Sequence, residues 1–192
     1  MFPSLTLELP SWVSTQVKAA TANGPLQRIE ERMALAIDLS AQNIREGTGG
    51  PFGAAVFDAD TCELIAPGVN LVTSAHASIA HAEIMAMSIA QQQLADFDLS
   101  QQGSRRMELV TSSEPCAMCF GAIPWAGLSQ ITCGARAEDV CAIGFDEGDK
   151  PSDWVDSLSR RGISVQRDQS RERAVAVLQE YLTINGPIYN GR

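Results

Sequence analysis

Two short segments hold the side chains best suited to chemistry. One is His81-Ala82-Glu83, and the other is Pro115-Cys116-Ala117-Met118-Cys119. Cysteines three residues apart share a face of a helix and can grip one ion, and zinc favours thiolates together with imidazole in a tetrahedral shell. The chain has two histidines. His81 is the natural third ligand, because His76 sits in a Ser/Ala-rich stretch with no partner. Three protein ligands leave one position for water, whose pKa on zinc falls to roughly 7. Glu83, two residues from His81, is close enough to take a proton from that water and deliver it to a leaving group. A lone C-x-x-C can be a redox pair, and a lone H-x-E says little; together, each at the start of an expected helix, they are specific. A structural zinc would usually take four protein ligands. Cys62, Cys133 and Cys141 are the candidates for a fourth, with Cys141 the hardest to dismiss, and all three read first as small buried residues. Glu114, directly before Pro115, reads as a supporting or capping group outside the catalytic set.

Such residues need elements to hold them. The stretch from about His81 to Leu94 is rich in Ala, Met, Ile and Gln and reads as a helix. A second helix runs to about Trp125, with Pro115 in its first turn, where a missing N–H costs nothing. Helix N-termini are electropositive and favour the thiolate form that binds metal. Ahead of these lie a helix from Gln27 to Glu46 and a turn at Gly49-Gly50-Pro51. A strand over 54–57 and a second from Glu63 toward Asn70 then form a hairpin. Strands over 107–111, 131–133 and 163–165 alternate with helices near 136–141, 152–161 and 171–182. Helix, hairpin, then alternating strands and helices predict an α/β protein with its sheet between helical layers and parallel pairing in the second half. Residues 1–26 read as an extension punctuated by Pro3, Pro10, Gly24 and Pro25, in which Ser11 caps a short helix. Residues 27–183 form the domain, and 184–192 form a tail released by Gly186-Pro187.

Composition narrows the function classes. The 192 residues are 45% hydrophobic and 19% charged, enough to bury a core without disulfides. A net charge of −9 argues against a polyanionic partner, so nucleic acid is unlikely on this reading. No apolar run approaches the ~18 residues of a membrane helix, and the acidic, proline-bearing start does not read as a signal peptide. Five cysteines, mostly scattered, do not make a disulfide framework, and the expected location is cytoplasmic.

At its H-x-E and P-C-x-x-C segments the chain resembles the zinc-dependent cytidine and deoxycytidylate deaminase superfamily, whose signature and glutamate proton shuttle are a known pattern. The resemblance runs from about residue 27 to at least residue 147. It implies a three-layer α/β/α sandwich with a mixed five-stranded sheet, one zinc ion, hydrolytic deamination, and commonly a homodimer. Gly49-Gly50-Pro51-Phe52-Gly53-Ala54, Asn70, the run Cys116 to Ala126 and Gly144-Phe145-Asp146-Glu147 are similar to the bacterial guanine deaminase group. By that resemblance Phe52 packs on a free purine base, Asn70 hydrogen-bonds it, and Ala82 and Trp125 help to wall the pocket. Glu147 assists proton transfer, and Tyr189 is the C-terminal aromatic over the site. The group commonly has aspartate where this chain has Glu147, and its aromatic is terminal where Tyr189 is not. The expected reaction is guanine to xanthine and ammonia. The alternatives are a deaminase of guanine-like amino-triazines such as ammeline, a tRNA adenosine deaminase, or a non-catalytic zinc-stabilised binding module.

Overall fold

A computed structural model describes residues 4–190. Pro3 of the expected extension and Gly191-Arg192 of the expected tail lie outside the described residues. Five strands form one mixed sheet in the order β2-β1-β3-β4-β5: β1 (Gly53–Asp58), β2 (Leu64–Val69), β3 (Met107–Ser113), β4 (Gln130–Ala135) and β5 (Ser164–Gln166). β1 is antiparallel to both β2 and β3, whereas β3, β4 and β5 run parallel. Parallel neighbours need crossovers, and α4 (Ala117–Trp125), α5 (Ala137–Ala142) and α6 (Trp154–Ser159) supply them. The expected hairpin and parallel half are both present.

Both faces of the sheet are covered, and the side-chain alternation of each strand divides the core in two. Ala55, Phe57 and Val110 face one layer, built from α1 (Ser11–Ala20), α2 (Ile29–Arg45), α5 and α7 (Arg171–Thr183). Ala54, Val56, Met107 and Leu109 face the other, built from α3 (Ala82–Leu94), α4 and α6. Strands buried on both faces read as continuous apolar runs, which is why Ala54 to Phe57 stands out in the sequence. Two boundaries differ from expectation. β3 continues past Thr111 to Ser113, because its pairing with β4 persists to Ser113 and Ala135 although Ser112-Ser113 carries no apolar signal. Ser11 lies inside α1 and Pro10 occupies the cap, where its fixed φ of −57° suits the chain entry.

One buried charge cluster ties α2 to the sheet. The Arg32 and Glu108 side chains are 10% and 2% exposed and approach to 2.9 Å, a charge contact without hydrogen-bond alignment at Arg32 Nε. Glu108 also accepts from Thr132 Oγ1 at 2.6 Å and Gln130 Nε2 at 2.9 Å. Arg32 Nη1 donates to the carbonyls of Leu26 and Gln27, fixing the chain where it enters α2. Removing one partner strands the other charge in the core, whereas replacing both does not. Arg32→Met is therefore expected to cost ~3–5 kcal/mol in urea unfolding, with part of that loss recovered when Glu108→Leu is added.

Candidate active site

The site forms where β3 ends. Beyond Ser113 the chain passes Glu114 and Pro115 and enters α4, with Cys116 at the N-cap and Cys119 one turn on. Pro115 thus precedes the cap and lies outside the first turn where the sequence reading placed it. α3 starts in the same layer with His81 as its N-cap. The two helix starts converge: His81 Nδ1 lies 3.5 Å from Cys116 Sγ and 3.6 Å from Cys119 Sγ, and the three donor atoms fall within 4.8 Å of one another. The Cys116 thiol is pushed down to about 4, foremost by its hydrogen bond with Cys119 and, against burial, by its bond to His81. That same contact with Cys116, with burial behind it, pushes Cys119 up. Two sulfurs and one imidazole, with an open side toward a cavity, make a donor set that zinc fits.

The cavity holds about 370 Å³. Phe52, His81, Glu83, Cys116, Glu147 and Tyr189 all line it, so six residues singled out from sequence meet there. Glu83 sits on the first turn of α3 and is buried; burial foremost, then the Cys116 charge, holds its carboxyl above the usual range. Burial, followed by the charges of Cys116 and Glu83, pushes Glu147 up to about 8. Its Oε2 is buried without a hydrogen-bond partner, while its backbone carbonyl accepts from Ala117 N at 2.8 Å. Glu147 therefore faces the metal triad from a loop anchored on α4. Phe145 meets Phe52 and Tyr189 edge-on, with centroids 5.2 and 5.0 Å apart, and the Tyr189 hydroxyl is buried without a partner.

Three expected contacts are placed elsewhere. Asn70 is fully buried behind the lining residues; Val72 N donates to its Oδ1 at 3.2 Å and its Nδ2 has no partner. Ala82 packs into the core layer of α3, α4 and α6 and does not line the cavity, because its position on α3 faces the sheet. Trp125 is 86% exposed and forms no part of the wall. α4 buries Cys119 and Ile123, one turn apart, and a residue two positions beyond Ile123 points roughly 200° away from it.

Other residues at the site carried little signal in the sequence. Val72, Ser78, Met118 and Asn190 line the cavity, and the Asn190 side chain clamps the 144–146 loop, accepting from Asp146 N and donating to Gly144 O, both at 2.9 Å. Those partners are more than forty positions apart, beyond any local pattern. Glu114, left outside the catalytic set, is buried and held by Arg167 Nε at 2.6 Å and Ala137 N at 3.2 Å. Lys150 Nζ lies 3.8 Å from its carboxylate and donates to Pro115 O at 2.7 Å, bracing the turn that delivers Cys116.

Comparison with known proteins bears on this geometry. Residues 26–135 match the model of the cytidine and deoxycytidylate deaminase zinc-binding region. The chain belongs to that deaminase family. The matched region contains the helix starts that bring His81, Glu83, Cys116 and Cys119 together, and it stops short of Glu147 and Tyr189. Guanine deaminase from Bacillus subtilis is 36% identical over 124 residues, covering 62% of this chain and 75% of the relative. A probable cytosine deaminase from Schizosaccharomyces pombe is 30% identical over 129 residues, covering 67% and 74%. Among solved structures, guanine deaminase from Nitrosomonas europaea superposes with a TM-score of 0.87 at 44% identity, covering 95% of this chain and 98% of that one. A structure of the protein NE0047 in complex with 2,6-diaminopurine gives 0.88 at 46% identity, with 97% of each chain covered. The family's mixed five-stranded sheet and its zinc cofactor are those of this deaminase. Elemental analysis of the purified protein is expected to give about one zinc per chain, and Cys116→Ala to lose most of it, since a three-ligand site tolerates no missing thiolate.

Proposed function

We propose that the protein converts guanine to xanthine and ammonia by hydrolysis, with His81, Cys116 and Cys119 holding the zinc. The observation that carries this reading is the pair of carboxylates, buried Glu83 and half-buried Glu147, beside the metal triad inside an aromatic-lined cavity. The Bacillus and Nitrosomonas guanine deaminases, similar across most of their lengths, support the substrate. A bound zinc supplies a water acidified to a pKa of roughly 7 and so a nucleophile at neutral pH. Glu83 removes the proton as oxygen bonds to the ring carbon that bears the amino group, and passes it to the adjacent ring nitrogen. The carbon becomes tetrahedral, its hydroxyl gives up the second water proton to the amine, and ammonia leaves as the C–N bond breaks and the carbonyl forms. Glu147, whose carboxyl burial holds above the usual range, is suited to handle that second proton, and its unpaired oxygen awaits a donor on the substrate. Phe52 and Tyr189 give the cavity aromatic walls for a flat ring, and Asn70, buried behind them with its Nδ2 free, backs that wall without lining the cavity. Such a site, largely apolar with a few converging polar groups, suits a free base.

The reading extends to a purine-metabolic enzyme of the cytoplasm, where a reducing medium keeps the ligand thiols available. It extends also to a homodimer. No residue of α4 is charged, yet α4 presents Met118 and Trp125 outward, and the bond from Leu99 N to Ala126 O sets the loop bearing Phe97, itself 83% exposed, beside its end. An exposed apolar surface of this kind marks an interface.

Ammonia release is expected from guanine in a screen that also offers adenine, cytosine, cytidine and ammeline; release from none of them rejects the enzyme. Glu83→Gln should keep its zinc and lose about 10²–10⁴-fold in rate, the usual worth of a positioned proton carrier. Glu147→Gln should lose turnover sharply while Asp149→Asn, exposed on the same loop and outside the cavity lining, does not; equal small effects of both would remove Glu147 from the mechanism. Light scattering should give a dimer mass for the intact protein and a smaller mass for Trp125→Glu.

A further inference from the structure

Asn43, on α2, has no exposed surface. Its Nδ2 donates to two carbonyls, those of Gly50 and Asn70, each at 2.8 Å. The first belongs to the turn that leads into Phe52, whose amide also donates to Gly50 O. The second belongs to the residue whose own amide donates to Phe52 O at 3.1 Å. One carboxamide therefore bridges the two chain segments that carry Phe52 and Asn70. The turn lies hard against both of its neighbours. A Cβ on Gly49 would collide with the Asn70 carbonyl and crowd Asn43 Nδ2, and one on Gly50 would collide with the Tyr189 hydroxyl. Phe52 follows this turn directly, and Asn70 and Tyr189 pack against it.

A primary amide can present either end, and with Oδ1 turned inward Asn43 would set an acceptor against two acceptors. The two carbonyls hold Nδ2 inward, and Thr48 secures the other end: its Oγ1 donates to Asn43 Oδ1 at 2.7 Å and lies 3.3 Å from the Asn43 carbonyl. The same hydroxyl accepts from Trp12 Nε1 at 3.3 Å, and Ser74 Oγ donates to the Thr48 carbonyl at 2.7 Å. Trp12 sits on α1, before residue 26 where the family match begins. The hydrogen bonds thus run in one direction, from the indole through the hydroxyl to the carboxamide and on to the two carbonyls. Removing the hydroxyl leaves a buried acceptor unpaired and loosens the carboxamide that spans the two carbonyls.

We propose that Asn43 is a positioning residue for the base-binding wall, secured by a Trp12–Thr48–Asn43 chain that brings the N-terminal helix into substrate recognition. This rests on reading the cavity as a guanine site. The chain lies on the α2 side of the sheet, whereas His81, Glu83, Cys116 and Cys119 belong to the α3 and α4 side. Its loss should act on binding and leave the proton transfers in place.

Thr48→Val removes the hydroxyl at nearly constant shape, and Thr48→Ser keeps it. For Thr48→Val the KM for guanine and the Kd of 8-azaguanine by calorimetry are expected to rise about tenfold, with kcat within about twofold and zinc content unchanged. Thr48→Ser should match the parent, and Trp12→Phe should show a smaller rise in the same direction. An unchanged KM and Kd in Thr48→Val, equal losses in the valine and serine variants, or a loss confined to kcat overturns the proposal. If the parent protein turns over no guanine, the substrate reading fails and the positioning role is judged on a crystal structure of Thr48→Val. An Asn43 amide still bonded to both carbonyls refutes it; an amide that has lost either carbonyl, with a displaced 49–52 turn, upholds it.

Discussion

The starts of α3 and α4 meet beyond the end of β3, and the rest of the site is arranged around that convergence. Donor atoms of three residues, two of them sulfur, are crowded within 4.8 Å. The electropositive helix ends favour the thiolate that Cys116 becomes. The arrangement needs β3 buried on both faces and paired as far as Ser113, because its last residues aim Glu114, Pro115 and Cys116. Glu114 then has a structural task. Bound by Arg167 and near Lys150, it draws β5's far end and the Glu147 loop onto the turn that presents the first sulfur.

The parts of the molecule outside the family match complete the site. α4's first amide binds the Glu147 carbonyl, so the loop bearing the second carboxylate moves with the metal ligands. The tail returns over it: Tyr181 Oη donates to Pro187 O at 2.7 Å, and Asn190 clamps residues 144–146. Phe145 lies between Tyr181 and Tyr189, with centroids 6.0 and 5.0 Å away, and so joins the last helix to the cavity wall. The metal site of the matched region is thereby closed in by segments that follow it.

The metal ligands and Glu83 were legible in the sequence because their geometry is local. Two residues from His81 to Glu83, and one helical turn from Cys116 to Cys119, are short-range relations that survive any packing. The strands of the sheet were legible for a related reason, since burial on both faces leaves continuous apolar runs. Glu147 and Tyr189 were found only through resemblance; by spacing alone, one looked like a solvated turn and the other like a loose tail.

What the tertiary structure decided is direction and distant partnership. α4 is apolar all round, so its sequence carries no phase, and only the burial of Cys119 and Ile123 shows that Trp125 points to solvent. Ala82 turned toward the sheet because α3 packs there. Asn43, Thr48 and Trp12 read as ordinary helix and loop residues until folding set them in one chain of hydrogen bonds with Gly50 and Asn70. A side chain's chemistry is written in its own identity and near neighbours. Which buried polar atom it must satisfy is fixed only when distant segments are desolvated together, because only then does leaving that atom unpaired carry a cost.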